Sequence, residues 1–135
     1  MATIKSYTDI EQSKKMAEIL PLESADACWS KYDDGQIRVM PMELWDLIKD
    51  GLSCLEFTPA WSLSVLLELL PNDDYHITLL YKTNNGWCSE YLEEPKSDTE
   101  GMHYEYPESL YSVYDDNSID AVYWMLIWLL ENNKL

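Results

Sequence analysis

Glycine is scarce in this chain: only Gly35, Gly51, Gly86 and Gly101 occur, and no two of them are close together in the sequence. Loops that cradle phosphates need clustered glycines, as in GxxxxGK[ST] or GxGxxG, because the backbone must approach the phosphate closely. The sequence therefore excludes a nucleotide-binding loop of either kind. The GxSxG turn that presents a hydrolase nucleophile is absent as well.

Cysteine is also scarce. Cys28, Cys54 and Cys88 are far apart, form no CxxC pair and have no histidine at zinc-ligand spacing. This pattern predicts free thiols in a reducing compartment, without a bound metal or cofactor. The start of the chain has no apolar leader, and the longest apolar run, residues 121–130, is half of the roughly 20 residues that a membrane span needs. We therefore expect a cytoplasmic protein that does not enter a membrane.

Basic residues are few: 9 Lys and Arg stand against 25 Asp and Glu, which gives a net charge of −16. The imbalance is concentrated in residues 51–135, which hold 15 acidic and 3 basic side chains. A negative surface repels phosphates, so the composition argues against direct nucleic-acid binding and permits a basic protein partner. The plainer interpretation is that the charge keeps the protein soluble.

Apolar residues make up 47% of the 135 residues, and no linker or repeat divides the chain. This predicts a single domain over residues 1–135. Apolar spacing and capping residues predict four helices. These helices lie at residues 9–20, 41–50, 59–70 and 118–132. Thr8, Thr58 and Asn117 are the expected N-caps, with Glu11 completing a capping box beside Thr8. The last helix is apolar nearly all round, which predicts that both of its sides are covered.

Two hairpins are predicted from turn residues between apolar, β-branched and aromatic runs. Asp34-Gly35 would join strands at 27–32 and 36–40, and Asn85-Gly86 would join strands at 75–83 and 87–93. A further strand is expected at 103–114. The predicted fold is therefore α+β: a small antiparallel sheet of about four to five strands packed by two to three helices, with the C-terminal helix in the core.

Three stretches of the chain resemble one known group of proteins. They read SYTDIEQSKKMAEILPLESADACW, TPAWSLSVLLELLP and DNSIDAVYWMLIWLLENNKL. Each resembles small uncharacterised proteins found in gut Bacteroides genomes and in their prophages or mobile elements. The resemblance implies the setting of a mobile-element accessory gene, and it brings no catalytic or binding signature.

The region from Glu90 to Asp116 combines nine acidic residues with several tyrosines. Such a surface can bind a cationic patch, partly through cation–π contacts. The alternative is a solvated sheet face with cross-strand tyrosine pairs. The candidate partner-binding residues are Glu90, Glu93, Glu94, Tyr104, Tyr106, Asp115 and Asp116.

Trp124 and Trp128 are spaced i, i+4 on the last predicted helix. If these rings are exposed, they are candidate anchors of an interface, with a homodimer as the most specific case. If they are covered, they form a second core face.

Two other functions stay open at this stage. One is a hydrolase-like or metal-dependent enzyme in which carboxylates act with His76 or His103, and a Cys88–His76 pair is a further variant of it. The other is a sugar or small-ligand module with an exposed aromatic platform, against which burial of Trp29, Trp61 and Trp87 would argue. The first hypothesis remains a non-enzymatic, acidic interaction protein, with no catalytic residue assigned.

Overall fold

The computed structural model describes residues 5–51, 53–73, 75–93 and 108–135. Its backbone contacts divide the chain into two compact units, which we call the N-terminal unit (Lys5–Leu66) and the C-terminal unit (Leu67–Leu135). Among the described residues each unit contains one three-stranded antiparallel sheet. The α+β class is confirmed, whereas the prediction of one sheet with four to five strands is wrong. The single-domain assignment stays a prediction.

The N-terminal unit has a sheet in the order β2-β1-β3, against which α1 packs on the β3 side. Its strands are β1 (Ala27–Tyr32), β2 (Ile37–Pro41) and β3 (Cys54–Ala60), and its helices are α1 (Ile10–Ile19) and α2 (Met42–Ile48), followed by α3 (Leu63–Leu69) at the boundary of the units. The predicted helices near 9–20 and 41–50 are confirmed. Strand β3 was not predicted. It pairs with the edge of β1 opposite β2, so the first hairpin belongs to a three-stranded sheet of its own and does not join the strands of the second hairpin.

The start of α1 differs from the prediction by one residue. Asp9, not Thr8, is the N-cap: its side chain accepts a hydrogen bond from the Gln12 backbone N–H, and the Gln12 side chain accepts one from the Asp9 backbone N–H. Thr8 is buried instead, with its hydroxyl 2.7 Å from that of Ser13 and 3.2 Å from the Trp61 backbone nitrogen. The charged carboxylate of Asp9 accepts a stronger hydrogen bond than a hydroxyl would. The Thr8 hydroxyl instead serves as the hydrogen-bond partner of the buried Ser13 hydroxyl and Trp61 N–H.

The predicted start of the 59–70 helix is wrong. Thr58 and Pro59 belong to β3, where they pair with Trp29 and Cys28 of β1, and α3 begins only at Leu63. Strand β3 lies at the edge of its sheet, where a proline is tolerated because it has no N–H to donate to a further strand. Pairing along the strand has overridden the local helix-start signal.

In its described part the C-terminal unit has a sheet in the order β4-β5-β6 and, after it, one long helix. Its elements are β4 (His76–Thr83), β5 (Gly86–Glu93), β6 (Glu108–Asp115) and α4 (Ser118–Glu131). The predicted α4 is confirmed with its cap: the Asn117 side chain accepts a hydrogen bond of 2.9 Å from the Asp120 backbone N–H. Helix α4 packs on β5 and β6. No helix among the described residues is both long enough and apolar enough to cross a membrane.

Both predicted hairpins are present, but the glycine follows the turn in each. Thr83 pairs with Gly86, so Asn84 and Asn85 are the two turn residues, and Gly86 has a φ of +139°. A Cβ atom at Gly86 would lie 2.5 Å from the Asp115 carbonyl oxygen, so only glycine fits there. In the first hairpin Gly35, with a φ of +84°, is the last residue of a three-residue loop between Tyr32 and Gln36. A left-handed glycine at that position is typical of three-residue hairpin loops, whereas Gly86 is already the first residue of β5.

Candidate functional site

The register of the C-terminal sheet determines which side chains share a face. Tyr91 of β5 is paired with Thr78 of β4 and with Tyr111 of β6, so these three side chains lie on one face. Trp128 of α4 contacts both tyrosine rings, at centroid distances of 5.9 Å from Tyr91 and 4.3 Å from Tyr111. Helix α4 therefore packs on this face, which we call the Tyr91 face. The opposite side is the Cys88 face.

The predicted partner-binding residues are distributed over both faces. Glu90 lies on the Cys88 face, where it accepts a hydrogen bond from the Ser109 hydroxyl. Glu93 lies on the Tyr91 face, because it is two positions from Tyr91 along β5. Asp115 is paired with Trp87 at the other end of that face, next to Asp116 in the turn before α4. The sheet therefore separates Glu90, Glu93 and the Asp115–Asp116 pair. Glu94, Tyr104, Tyr106 and His103 lie outside the described residues.

The His76 side chain lies between two carboxylates, those of Asp73 and Glu93. Nδ1 of His76 is 3.4 Å from Asp73 Oδ1, and its Nε2 is 3.8 Å from Glu93 Oε1. The imidazole also stacks on the Tyr91 ring at 5.5 Å. Hydrogen bonds from the Tyr75 and His76 backbone N–H groups lower the pKa of Asp73. Each ring nitrogen faces a carboxylate, so the cluster orients the histidine between two negative groups.

Two further glutamates belong to this end of the C-terminal unit. Glu108 is paired directly with Glu93 across β5 and β6. Helix α4 follows β6 after a two-residue connection and packs on it, with Trp128 over Tyr111, so Glu131, one turn beyond Trp128, lies on the side of Tyr111 toward Glu108. We call Asp73, Glu93, Glu108 and Glu131 the acidic end. Among the described residues none of the four forms an ion pair with a lysine or arginine.

A groove of about 380 Å³ runs between β6 and α4. It is lined by Tyr111, Ser112, Val113, Trp124, Ile127, Trp128 and Glu131. Trp128 stacks nearly parallel on Tyr111, with 5° between the ring planes, and is half-buried. Trp124 is 50% exposed. This aromatic groove therefore presents one accessible indole beside a wall of stacked rings, with a glutamate at its edge.

The two candidate interface tryptophans thus differ. Trp124 has the exposure that an interface anchor needs, whereas Trp128 is largely used by its contacts with Tyr91 and Tyr111. The homodimer stays a prediction. Among the tryptophans considered for a ligand platform, Trp61 is fully buried, and Trp29 and Trp87 are half-buried.

The buried thiols are not placed to act as nucleophiles. Burial is the main cause that raises the pKa of Cys28 to about 11, which keeps it protonated at neutral pH. Cys88 is fully buried and is paired with Tyr81 and Tyr114, whose pKa values are raised mainly by hydrogen bonding to the Cys88 side chain. Cys88 and His76 lie on opposite faces of the sheet, so the two do not form a dyad.

Charge is arranged differently in the N-terminal unit, where lysines accompany the carboxylates. Among the described residues of this unit, four lysine–carboxylate contacts of 3.1–4.0 Å occur. They are Lys5–Asp9, Lys14–Glu11, Lys14–Glu56 and Lys49–Asp46. The negative potential of this unit is therefore partly neutralised by its own side chains.

Sequence reasoning overlooked Asp73, Glu108 and Glu131 as parts of one site. Glu131 follows Trp124 and Trp128 at i+7 and i+3, so helical spacing alone was a usable signal for it. Glu108 meets Glu93 only because the register shifts between Tyr91 and Leu92, which no local pattern indicates.

The described residues include no group of three or more His, Cys, Asp or Glu side chains arranged to hold a metal ion. No protein-family model, curated protein or solved structure matches the chain. The candidate site is therefore defined by its geometry: the acidic end and the aromatic groove beside it.

Proposed function

We propose that this protein is a non-enzymatic interaction protein whose C-terminal unit docks a basic protein partner at the acidic end. The observation that carries the proposal is the placement of Asp73, Glu93, Glu108 and Glu131 at one end of the unit, without a lysine or arginine counter-ion among the described residues. The exposed Trp124, two helical turns before Glu131 in the same groove, adds apolar contact area. The resemblance to mobile-element proteins suggests an accessory gene as its setting.

The electrostatics favour association over catalysis. Like charges facing each other across strands, as Glu93 and Glu108 do, destabilise a sheet. A cationic partner relieves that repulsion when it binds, so the interaction energy has a source beyond simple contact. Uncompensated charge also steers a partner of opposite sign and raises the association rate, mostly at low ionic strength.

Binding of a short peptide of alternating lysine and glycine tests this proposal. Titration calorimetry compares the wild type with a triple variant of the acidic end, Glu93→Gln, Glu108→Gln and Glu131→Gln. Three exposed charge contacts, each contributing about 0.2–1 kcal/mol, predict a loss of affinity of about tenfold. Raising the salt concentration from about 20 to about 300 mM should weaken binding to the wild type strongly, because exposed charges are screened.

The matched control removes three glutamates from the N-terminal unit. Glu18, Glu23 and Glu43 are exposed and form no ion pair among the described residues, so their change to glutamine alters the net charge by the same amount. We expect this control to weaken binding by less than about threefold, since its three charges are not part of the proposed site and contribute only through the net charge, which salt screens. Equal losses in the two triple variants would show that only the net charge matters, and the proposed site would be rejected.

A further inference from the structure

We infer that the aromatic groove receives an arginine side chain of the basic partner, with Trp124 stacking on the guanidinium and Glu131 accepting its hydrogen bonds. This inference rests on the docking role proposed above and specifies the side chain that is recognised. Trp124, Trp128 and Glu131 are spaced i, i+4, i+7, so they follow one another along a single side of α4. All three line the same groove.

The aromatic wall is held in place before any partner binds. Trp128 is stacked on Tyr111 at 4.3 Å and touches Tyr91 at 5.9 Å, so its ring is fixed against the sheet. Trp124 forms a T-shaped contact with Tyr123, with 5.0 Å between the ring centroids and 68° between the ring planes, and half of its surface remains exposed. The wall formed by Trp128 therefore loses little conformational freedom on binding, which favours affinity.

The chemistry of the groove favours arginine over lysine. A guanidinium is planar and weakly hydrated, so it can stack on an indole face and donate to a carboxylate at the same time. A lysine ammonium is compact and strongly hydrated, and it would satisfy Glu131 without using the ring plane of Trp124. Tryptophan is also the best aromatic partner for a cation.

Charge complementarity favours a basic partner over a second copy of this chain. In a two-fold dimer the same patch meets itself, so Glu131 would be brought toward its own copy. Each chain carries a net charge of −16, which makes such a contact repulsive. An arginine-bearing segment brings the opposite charge to the same groove.

The test uses two peptides of the same length and charge, one with arginine and one with lysine in otherwise identical glycine-spaced sequences. Calorimetry at low salt should show that the wild type binds the arginine peptide about fivefold more tightly. Trp124→Leu should abolish this preference and leave the affinity for the lysine peptide nearly unchanged. The Trp124 indole N–H signal in NMR spectra should shift with the arginine peptide.

Tyr114→Leu is the matched control, since Tyr114 is 67% exposed in the same unit but lies on the Cys88 face. It should keep the preference for arginine, and circular dichroism checks that both variants are folded. Equal, salt-sensitive binding of the two peptides that ignores Trp124→Leu would overturn the arginine site and leave the docking role standing. If neither peptide binds at low salt, the docking role itself fails. A wild-type dimer in sedimentation that Trp124→Leu dissociates would assign the groove to a second copy and also overturn the inference.

Discussion

The two units of this protein have the same number of described strands, but their carboxylates have different neighbours. In the N-terminal unit, lysines such as Lys14 and Lys49 lie within ion-pair distance of carboxylates. In the C-terminal unit, Glu93 faces Glu108 instead of a lysine. Carboxylates that are already paired with lysines attract a charged partner only weakly. The difference therefore favours the C-terminal unit as the one that binds the proposed cationic partner.

The interiors differ as well. The N-terminal unit is tied by polar groups: the Asp26 carboxylate accepts hydrogen bonds from both the backbone N–H and the hydroxyl of Ser62, and Thr8 contacts Ser13 and the Trp61 backbone. The C-terminal unit depends on α4, whose apolar side chains cover one face of the sheet. The four residues of the acidic end are exposed and lie outside this apolar packing.

The largest expected effect tests how far the C-terminal unit depends on α4. Leu126 is fully buried, so Leu126→Ala should lower the free energy of unfolding by about 2–5 kcal/mol through lost burial and a cavity. Leu47→Ala in the N-terminal unit is the control, because Leu47 is 83% exposed and its loss should cost less than about 0.5 kcal/mol. Urea denaturation measures both, and equal costs would contradict the described core.

The next effect concerns the hairpin loop of the C-terminal sheet. Gly86→Ala should cost about 1–3 kcal/mol, because the φ of +139° and the close Asp115 carbonyl leave no room for a Cβ. Gly51→Ala in the N-terminal unit has open space around it and no positive φ, so it should be tolerated. Melting temperatures compare the two variants, and a neutral Gly86→Ala would mean that the turn differs from the one described.

The hydrogen bonds between Asp26 and Ser62 in the N-terminal unit should contribute less to stability. Asp26→Ala removes the acceptor of two hydrogen bonds from Ser62 and should cost about 1–2 kcal/mol, since the Ser62 backbone N–H loses its partner. Chemical denaturation provides the value. Asp33→Ala, at an exposed position in the turn, serves as the control and should change stability by less than about 0.5 kcal/mol.

Because carboxylates face each other in one unit and face lysines in the other, removing one carboxylate charge should change the stability of the protein slightly and in opposite directions. Glu108→Gln relieves repulsion with Glu93 and should stabilise the protein by a few tenths of a kcal/mol at low salt. Glu56→Gln breaks the contact with Lys14 of 3.8 Å and should destabilise it by a similar amount. Thermal unfolding at low and high salt measures both. Melting temperatures that shift in the same direction in both variants would contradict the difference in charge pairing between the units.

The acidic end also predicts a modest pH dependence. Because the folded state lowers the pKa of Asp73, the carboxylate stabilises the fold at pH values above its ordinary pKa of 3.8, and this contribution is lost as the pH falls through the lowered folded value. Asp73→Ala should therefore be less stable than the wild type at neutral pH, and the difference should vanish in strong acid. A difference that persists in acid would assign the effect to something other than the ionised carboxylate.

Local signals were sufficient for several elements. Asn117 and the apolar run after it predicted α4, and the Asp34-Gly35 and Asn85-Gly86 pairs predicted the two hairpins, although each glycine falls just after its turn. Tertiary pairing was not predictable in the same way. Pro59 carries a helix-start signal, yet it is in a strand because β1 offers a free edge.

The candidate site follows the same division. The acidic, aromatic character of the C-terminal half was predictable from composition, and helical spacing singled out Trp124 and Trp128 but left open whether their rings are exposed or covered. The separation of Glu90 from Glu93 follows from strand alternation, but the meeting of Glu93 with Glu108 depends on a register shift between Tyr91 and Leu92. Long-range register is set by the packing of α4 and the sheet, which no short segment encodes.

The most direct test of the docking role is a titration of isotope-labelled protein with the lysine–glycine peptide, followed by backbone amide shifts at low salt. The account predicts that the largest changes lie at Glu93, at the start of β6 and in the last turns of α4, and that they fade as salt is added. Changes centred on the N-terminal unit, or spread evenly over both units, would contradict it.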